Sequence, residues 1–391
     1  MMKKIVLGIS LSVMTAISFS EGVPLEDFYQ ESSRLQKDMV SSAEQKAGKI
    51  IAYLPGWSTP PAAVDLAAAG YTHVIVAFGV FSTVTPGQII SAFDSVSPAY
   101  IQSLQTAGIK VLLSLGGAST NIVNTTVDFH SVLAKVSDPQ CFTEEFVSSV
   151  EDMLTQYGFD GVDIDIEHGL IGAGSFINPT GDIAVLANIL QTLHNKHPDI
   201  ILSLAPQMSN ISATQGFGDT WGNYASLVMQ TAPILSWVGI QLYNSGCCLG
   251  INNICYGFDP RHPEKYVDTY VAMATNLLED WPAKDSADRA TGFQPYVSYL
   301  KSSQIVLGFP AIDKNGVTDN AVPVADMPAV KRSMNCLRTA TVSSAGCNEY
   351  TAPRAYPDIG GVFEWQVTYD QSNNYYFAKS LKNCVMSGNC E

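Results

Sequence analysis

The sequence predicts an α/β fold, a (β/α)8 TIM barrel with loop insertions, and three observations point to it. Short apolar runs rich in Val and Ile alternate with longer segments of helical pattern, as parallel strands covered by helices do. The longer segments carry usable start and stop residues. Polar residues gather where the apolar runs end, which is where such barrels keep their chemistry.

Eight runs read as strands: KIIAYLPGW (49–57), THVIVAFGVF (72–81), KVLLSLGG (110–117), GVDIDIE (161–167), IILSLAPQM (200–208), WVGIQLYN (237–244), QIVLGFP (304–310) and GGVFEWQV (360–367). Between them, Pro60 and Pro61 open a helix that Gly70 closes. Ser97 and Pro98 open another that ends at Gly108, and FTEEFVSSVEDMLTQYG ends at Gly158. An open, doubly wound sheet is the alternative. Its nucleotide-binding versions lose support because no Gly-x-Gly-x-x-Gly or Walker-type loop follows the first strand.

Outside the barrel, residues 1–20 have the layout of a secretory signal peptide. Lys3 and Lys4 precede an apolar run from Ile5 to Ile17, and small residues follow at Ser18 and Ser20. Cleavage near Ser20–Glu21 is expected, giving a secreted, extracellular protein. In residues 21–48, Leu25, Phe28, Leu35 and Met39 stand at helical spacing and predict a helical extension. Residues 49–391 form the expected catalytic domain, with a short Cys-containing tail. Eight cysteines in an exported chain fit disulfides better than metal, since no paired Cys-x-x-Cys or Cys/His spacing occurs. Local bridges such as Cys336–Cys347 and Cys384–Cys390 are expected, and the cysteines of CCLGINNIC are expected to pin a loop beside the groove. The formal charge of −15 argues against nucleic acid or an anionic membrane as partner and leaves neutral substrates open. No metal, no cofactor and a monomer are expected.

The stretch FDGVDIDIEHG places Asp163, Asp165 and Glu167 on alternate residues, separated by Ile164 and Ile166. Alternation puts the three carboxylates on one face of a strand, roughly 6–7 Å apart. With Val162, Ile164 and Ile166 facing the helices, the acids climb the inside of the barrel toward its mouth. Crowded, buried carboxylates raise at least one pKa, which keeps a carboxylic acid protonated near neutral pH for use as a general acid. Calcium is a poor alternative: isoleucines separate the acids, and His168 stands where an EF-hand loop needs glycine. A purely structural polar network would carry a large desolvation cost without return. His168, by the same alternation, points away from the acids and reads as structural.

DGVDIDIE resembles the Asp-Gly-x-Asp-x-Asp-x-Glu pattern of glycoside hydrolase family 18, the chitinases and their relatives. SLGG (114–117) is similar to the family's Ser-x-Gly-Gly at the third strand end. QLYN (241–244) and APQM (205–208) resemble sixth- and fifth-strand ends of the hevamine-type and several bacterial chitinases, and Trp365 falls where the family has its eighth-strand tryptophan. The resemblance runs from Lys49 to about Lys382.

It implies an endochitinase-like hydrolase of β-1,4-linked N-acetylglucosamine polymers or oligosaccharides, working by a retaining, substrate-assisted mechanism. Glu167 would protonate the glycosidic oxygen while the substrate's acetamido carbonyl attacks the anomeric carbon to give an oxazolinium ion. Asp165 would orient the acetamido N–H, Asp163 would share a proton or hydrogen bond with Asp165, and Tyr243 would donate to the acetamido carbonyl. Trp365 would floor the sugar site. Tyr53, Phe78, Gln207, Gln241 and Asn244 would line it, and Gly116 and Gly117 would let the backbone turn close to the sugar. Trp57 reads as a rim aromatic or a plain surface residue. The segment Ala311–Ile359 is too short for a full α+β lobe, so an open groove suited to internal cuts is expected. Two other readings share the barrel: an endo-β-N-acetylglucosaminidase cutting N-glycan chitobiose cores, and a chitin-binding lectin, whose kind typically lacks the acid that Glu167 supplies here.

Overall fold

The computed structural model describes residues 48–213, 216–219, 223–319 and 322–390. The expected leader and helical extension therefore lie outside the described residues. Within them, eight parallel strands close on themselves: β1 Lys49–Pro55, β2 His73–Ser82, β3 Lys110–Gly117, β4 Gly161–Ile166, β5 Ile201–Leu204, β6 Trp237–Gln241, β7 Ile305–Pro310 and β8 Gly361–Trp365. Each pairs with the next, and β8 returns to β1 through Lys49↔Gly361 to Ala52↔Glu364. The closed order removes every sheet edge from the barrel wall. This is the TIM barrel that the alternation predicted.

Helices cover the outside: α1 Ala63–Ala69, α2 Pro98–Thr106, α3 Pro139–Tyr157, α4 Gly181–Lys196, α5 Asn223–Thr231, α6 Tyr266–Leu278, α7 Met327–Thr339 and α8 Tyr376–Ser387. Their ends follow the sequence signals. Ser97 caps α2 by accepting from the Tyr100 N–H, Asp138 caps α3 through Gln140, and Gly70 and Gly158 close α1 and α3 in the left-handed region. The structure starts α3 earlier than FTEEF suggests, because Pro139 at its first turn already has the φ a helix needs.

Strand alternation divides the apolar residues into two sets. Ile50, Ala52 and Leu54 face the helices, whereas Ile51, Tyr53, Ile75, Leu112, Trp237, Val306 and Phe363 fill the barrel itself. The Phe363 ring occupies the middle of that interior; a Cβ on Gly308 would stand 1.8 Å from it. Bulk from one strand thus requires its absence on the next.

Several strands end earlier than their apolar runs. β5 stops at Leu204 because Pro206 has no N–H to continue the ladder, and only an isolated bridge, Gln207↔Gln241, joins the chain beyond it to β6. Released from the ladder, Ala205–Gln207 and Leu242–Asn244 form the rim. Two short strands, Ile89–Ser91 and Thr125–Thr126, pair antiparallel with the end of β2 and raise one wall of the mouth.

Between β7 and β8 the described residues contain one helix, α7, and no strand, so no α+β lobe stands there. Disulfides join Cys336–Cys347 and Cys384–Cys390 as expected, and Cys247–Cys255 closes a hairpin in the loop after β6. Leu249 of that hairpin accepts from Ser212, Ala213 and Asn276, which pins it to the chain beyond β5 and to α6. Cys141 is an exposed thiol and Cys248 a buried one. No helix among the described residues is long and apolar enough to cross a membrane, and no cluster of metal-ligating side chains occurs among them.

Candidate active site

Asp163 lies at the bottom of the ladder, fully buried. It accepts three hydrogen bonds, from Ser203 Oγ (2.7 Å), Ser114 Oγ (2.8 Å) and Tyr53 Oη (2.9 Å). The register makes this possible, since Ser114 on β3 and Ser203 on β5 are the direct neighbours of Asp163 on β4. Burial pushes the Asp163 pKa up, and the three hydroxyl donors oppose that shift. No hydrogen bond joins Asp163 to Asp165, the link expected from the resemblance; the lower acid is held by hydroxyls instead.

Asp165, one step higher, is 4% exposed. Gln241 Nε2 donates to its Oδ1 at 2.7 Å and also to the Ala205 carbonyl at 2.8 Å, so the amide is oriented from both sides. Burial, and then the charges of Glu167 and Asp163, hold the Asp165 pKa well above the ordinary carboxylate range. Glu167 stands just past the end of β4 and is only partly buried. Its Oε2 accepts from Gln207 Nε2 at 3.1 Å. Burial raises its pKa as well, against the opposing influence of His168 and Gln207. Asp165 and Glu167 therefore titrate as a pair, and the pair retains a proton to higher pH than a free carboxyl would. His168 itself is exposed.

Tyr243 follows β6 and is 6% exposed, packed with Tyr53, Ala205, Trp237 and Phe363. Burial raises its pKa, with the three acids adding to the effect. Its hydroxyl has no hydrogen-bond partner among the described residues and is left available to a ligand.

An aromatic group forms the other side of the mouth. The Phe78 ring stacks on Trp365 with centroids 5.9 Å apart and planes 19° from parallel. Trp57, 55% exposed, approaches both, at 6.3 Å from Phe78 and 6.5 Å from Trp365. Tyr53 meets Trp365 at 6.2 Å, so one tyrosine touches both the lower acid and the aromatic wall. Trp365 is partly exposed, and an indole beside carboxylic acids is suited to stack on a pyranose ring.

The remaining predicted residues are placed as follows. Gly116 (φ +116°) lies against β4, and a Cβ there would come 2.4 Å from the Asp165 carbonyl oxygen. A Cβ on Gly117 (φ +84°) would meet the Phe78 ring at 2.8 Å. Both glycines thus admit neighbouring parts of the site itself, and any larger residue would displace Asp165 or Phe78. Asn244, exposed and in the left-handed region, exchanges two hydrogen bonds with Val322: its N–H donates to the Val322 carbonyl at 2.6 Å, and its side-chain oxygen accepts from the Val322 N–H at 2.9 Å. It ties the loop after β6 to the loop after β7.

The roles of three further contributors depend on packing. Ser114 opens the SLGG motif without showing what it binds, and Ser203 is an ordinary small residue, until the register puts both against Asp163. Tyr224, on α5, accepts from the Ile166 N–H (2.9 Å) and donates to the Ile166 carbonyl (3.1 Å), which fixes the backbone immediately before Glu167. Only knowledge of how α5 packs could have singled it out.

Residues 49–385 match the family described as Glycosyl hydrolases family 18. The chain belongs to glycoside hydrolase family 18. Among solved structures, the family 18 barrel is similar to the C-terminal domain of Legionella pneumophila ChiA, at 56% identity and a TM-score of 0.86 over 88% of this chain and 100% of that one. It is also similar to a putative chitinase A from Streptomyces coelicolor, at 26% identity and a TM-score of 0.64 over 88% of this chain and 99% of that one. Among curated proteins, exochitinase 1 of Streptomyces olivaceoviridis is 27% identical over 74% of this chain and 45% of its own length. Chitinase D of Niallia circulans is 26% identical over 72% of this chain and 49% of its own length. The chain spans about half the length of these curated relatives.

Proposed function

We propose that the protein is a chitinase, a secreted hydrolase of β-1,4-linked N-acetylglucosamine chains that retains anomeric configuration through substrate assistance. The observation that carries this reading is the graded ladder: a hydroxyl-bound acid, a buried acid and a rim acid on one strand, beside an unpartnered tyrosine hydroxyl and an indole face. Two carboxylates in one environment would serve a double-displacement glycosidase. Here only Glu167 reaches the rim, and Asp165 lies buried below it, poorly placed to attack an anomeric carbon but well placed to hold an amide N–H.

The proposed sequence of events follows from those environments. Glu167, kept protonated by burial, gives its proton to the glycosidic oxygen as the C1–O bond breaks. The acetamido carbonyl oxygen of the same sugar closes on C1, forming an oxazolinium ion. Asp165 takes the acetamido N–H and balances the positive charge, and the Tyr243 hydroxyl donates to the carbonyl oxygen. Water, deprotonated by Glu167, then opens the ring at C1 and restores the acid. Trp365 supports the distorted sugar from below. Asp163, held as an acceptor by Ser114, Ser203 and Tyr53, sets the charge below Asp165 that raises the pKa of that acid.

The chitinase names among the relatives support chitin as substrate. The described residues between β7 and β8 form no lobe, which supports an open groove and internal cuts. The N-terminal leader pattern supports export. The test uses protein recovered from culture medium, given chitooligosaccharides and a high-mannose glycoprotein in parallel. Cleavage of the oligosaccharides, by a chain beginning near Glu21, is expected. Cleavage of the glycoprotein alone would move the assignment to an endo-β-N-acetylglucosaminidase, and cleavage of neither would overturn it.

A further inference from the structure

A second set of buried acids lies on the outer face of β8, directly behind the aromatic wall. Phe363 and Trp365 point into the barrel, so Glu364 between them points out, into the dry layer under the helices, with 0% exposure. Its Oε1 lies within hydrogen-bond distance of Tyr71 Oη, which comes from the turn between α1 and β2. The same phenolic oxygen is 2.6 Å from Asp370 Oδ2, on the segment that follows β8. Asp370 also accepts from Phe377 N–H (2.7 Å) and Ala378 N–H (3.3 Å) in the first turn of α8. Glu364 Oε2 is buried without a partner.

Counting protons in this chain decides its state. Tyr71 has one O–H and lies between two carboxyl oxygens, so it can donate to only one of them; the other contact is a hydrogen bond only if that carboxyl carries its own proton. Asp370, with two backbone N–H donors at a helix start, is the better anion. Glu364, with one bare oxygen in an apolar layer, is the better acid. The arrangement is Glu364 O–H to Tyr71 Oη, and Tyr71 O–H to Asp370 Oδ2. Burial and the nearby Asp370 charge raise the Glu364 pKa well above its usual range, in agreement. The other ionisable groups facing the chain are Tyr375, whose ring is 6.4 Å from Tyr71, Lys379 on α8, which favours the Asp370 charge, and Asp65 on α1, which acts on Tyr375. None of them places a cation beside Glu364.

We propose that Glu364 is a positioning residue for sugar binding: its proton completes a Glu364–Tyr71–Asp370 chain that holds the end of β8, and with it Trp365, against the barrel. Loss of that proton puts a second charge into the layer, breaks the Glu364–Tyr71 bond and frees the strand end. This inference rests on the reading of Trp365 as the sugar floor, and the test separates the two.

Wild type, Glu364→Gln and Tyr71→Phe are compared between neutral and alkaline pH by two measurements. The first is KM and kcat on a fluorogenic chitooligosaccharide. The second, which needs no turnover, is the near-ultraviolet circular-dichroism band that Trp365→Phe removes. Glutamine keeps a donor for Tyr71 and cannot ionise. The expected result is a wild-type KM that rises several-fold at alkaline pH, with the Trp365 band weakening in parallel. Glu364→Gln should show neither change, and Tyr71→Phe should show the raised KM and weakened band already at neutral pH. A band in Glu364→Gln that weakens with pH as the wild-type band does would overturn the proposal. So would a Tyr71→Phe variant with normal KM and band, or a uniform loss of kcat in all variants without a change in KM. If no chitooligosaccharide is cleaved by wild type, the chitinase reading fails while the band still decides the role of Glu364.

Discussion

Replacing Glu167 by glutamine should lower turnover of chitooligosaccharides by about 10²–10⁴-fold while leaving their binding nearly unchanged. The substitution keeps the size and a donor toward the sugar. It removes the one acidic proton at the rim. Asp165 cannot take over, because it lies deeper and Gln241 holds it toward β6. Nor can His168, which is exposed to solvent outside the buried ladder. The check is kcat and KM on one oligosaccharide, with binding followed separately by tryptophan fluorescence. A variant as active as wild type would remove Glu167 from the role of acid, and with it the reading of the whole ladder.

The Asp165→Asn variant should lose on the order of 10²–10³-fold in kcat, and its alkaline limb should move to lower pH. The loss follows from the charge that would balance the oxazolinium. The shift follows from coupling. In wild type, Asp165 and Glu167 repel each other's ionisation, so the pair gives up its second proton late and the acid stays loaded at higher pH. With an amide at 165, Glu167 no longer faces that neighbouring negative charge. It ionises at lower pH, so the protonated form runs out sooner. Asparagine can turn its oxygen toward Gln241 Nε2, so the hydrogen bond survives and the shift reports charge and not collapse. A pH profile of kcat is the measurement, and an unmoved limb would show that the two carboxyls do not titrate together.

Much of this site could be read from the sequence because its information is local. Alternation within DIDIE sets the side of the strand, and the strand order sets which end of the barrel it faces. Each strand could be found because burial on both faces demands an unbroken apolar run. What could not be read depends on register and packing between distant segments. Ser114 and Ser203 gain meaning only when β3, β4 and β5 align them on Asp163. Tyr224 and Tyr71 act through their hydroxyls on strand ends far away in the chain, and a tyrosine in a helix or a turn looks like any other apolar residue. Asn244 adds a second kind of case. Its motif marks it as lining the sugar site, and its hydrogen bonds to Val322, which brace two rim loops, carry no sequence signal. Glu364 carries no signal of its own beside Trp365, and only the helices packed over β8 enclose it fully.

The retaining chemistry proposed for the ladder is read most directly in the anomer first released from a chitooligosaccharide. Proton NMR in the opening minutes of the reaction, before mutarotation, separates the two forms. Attack by the substrate's own acetamido oxygen followed by water gives the β-anomer at the new reducing end. Release of the α-anomer would mean a single displacement by water, and would contradict the roles given to Asp165, Tyr243 and Glu167 together.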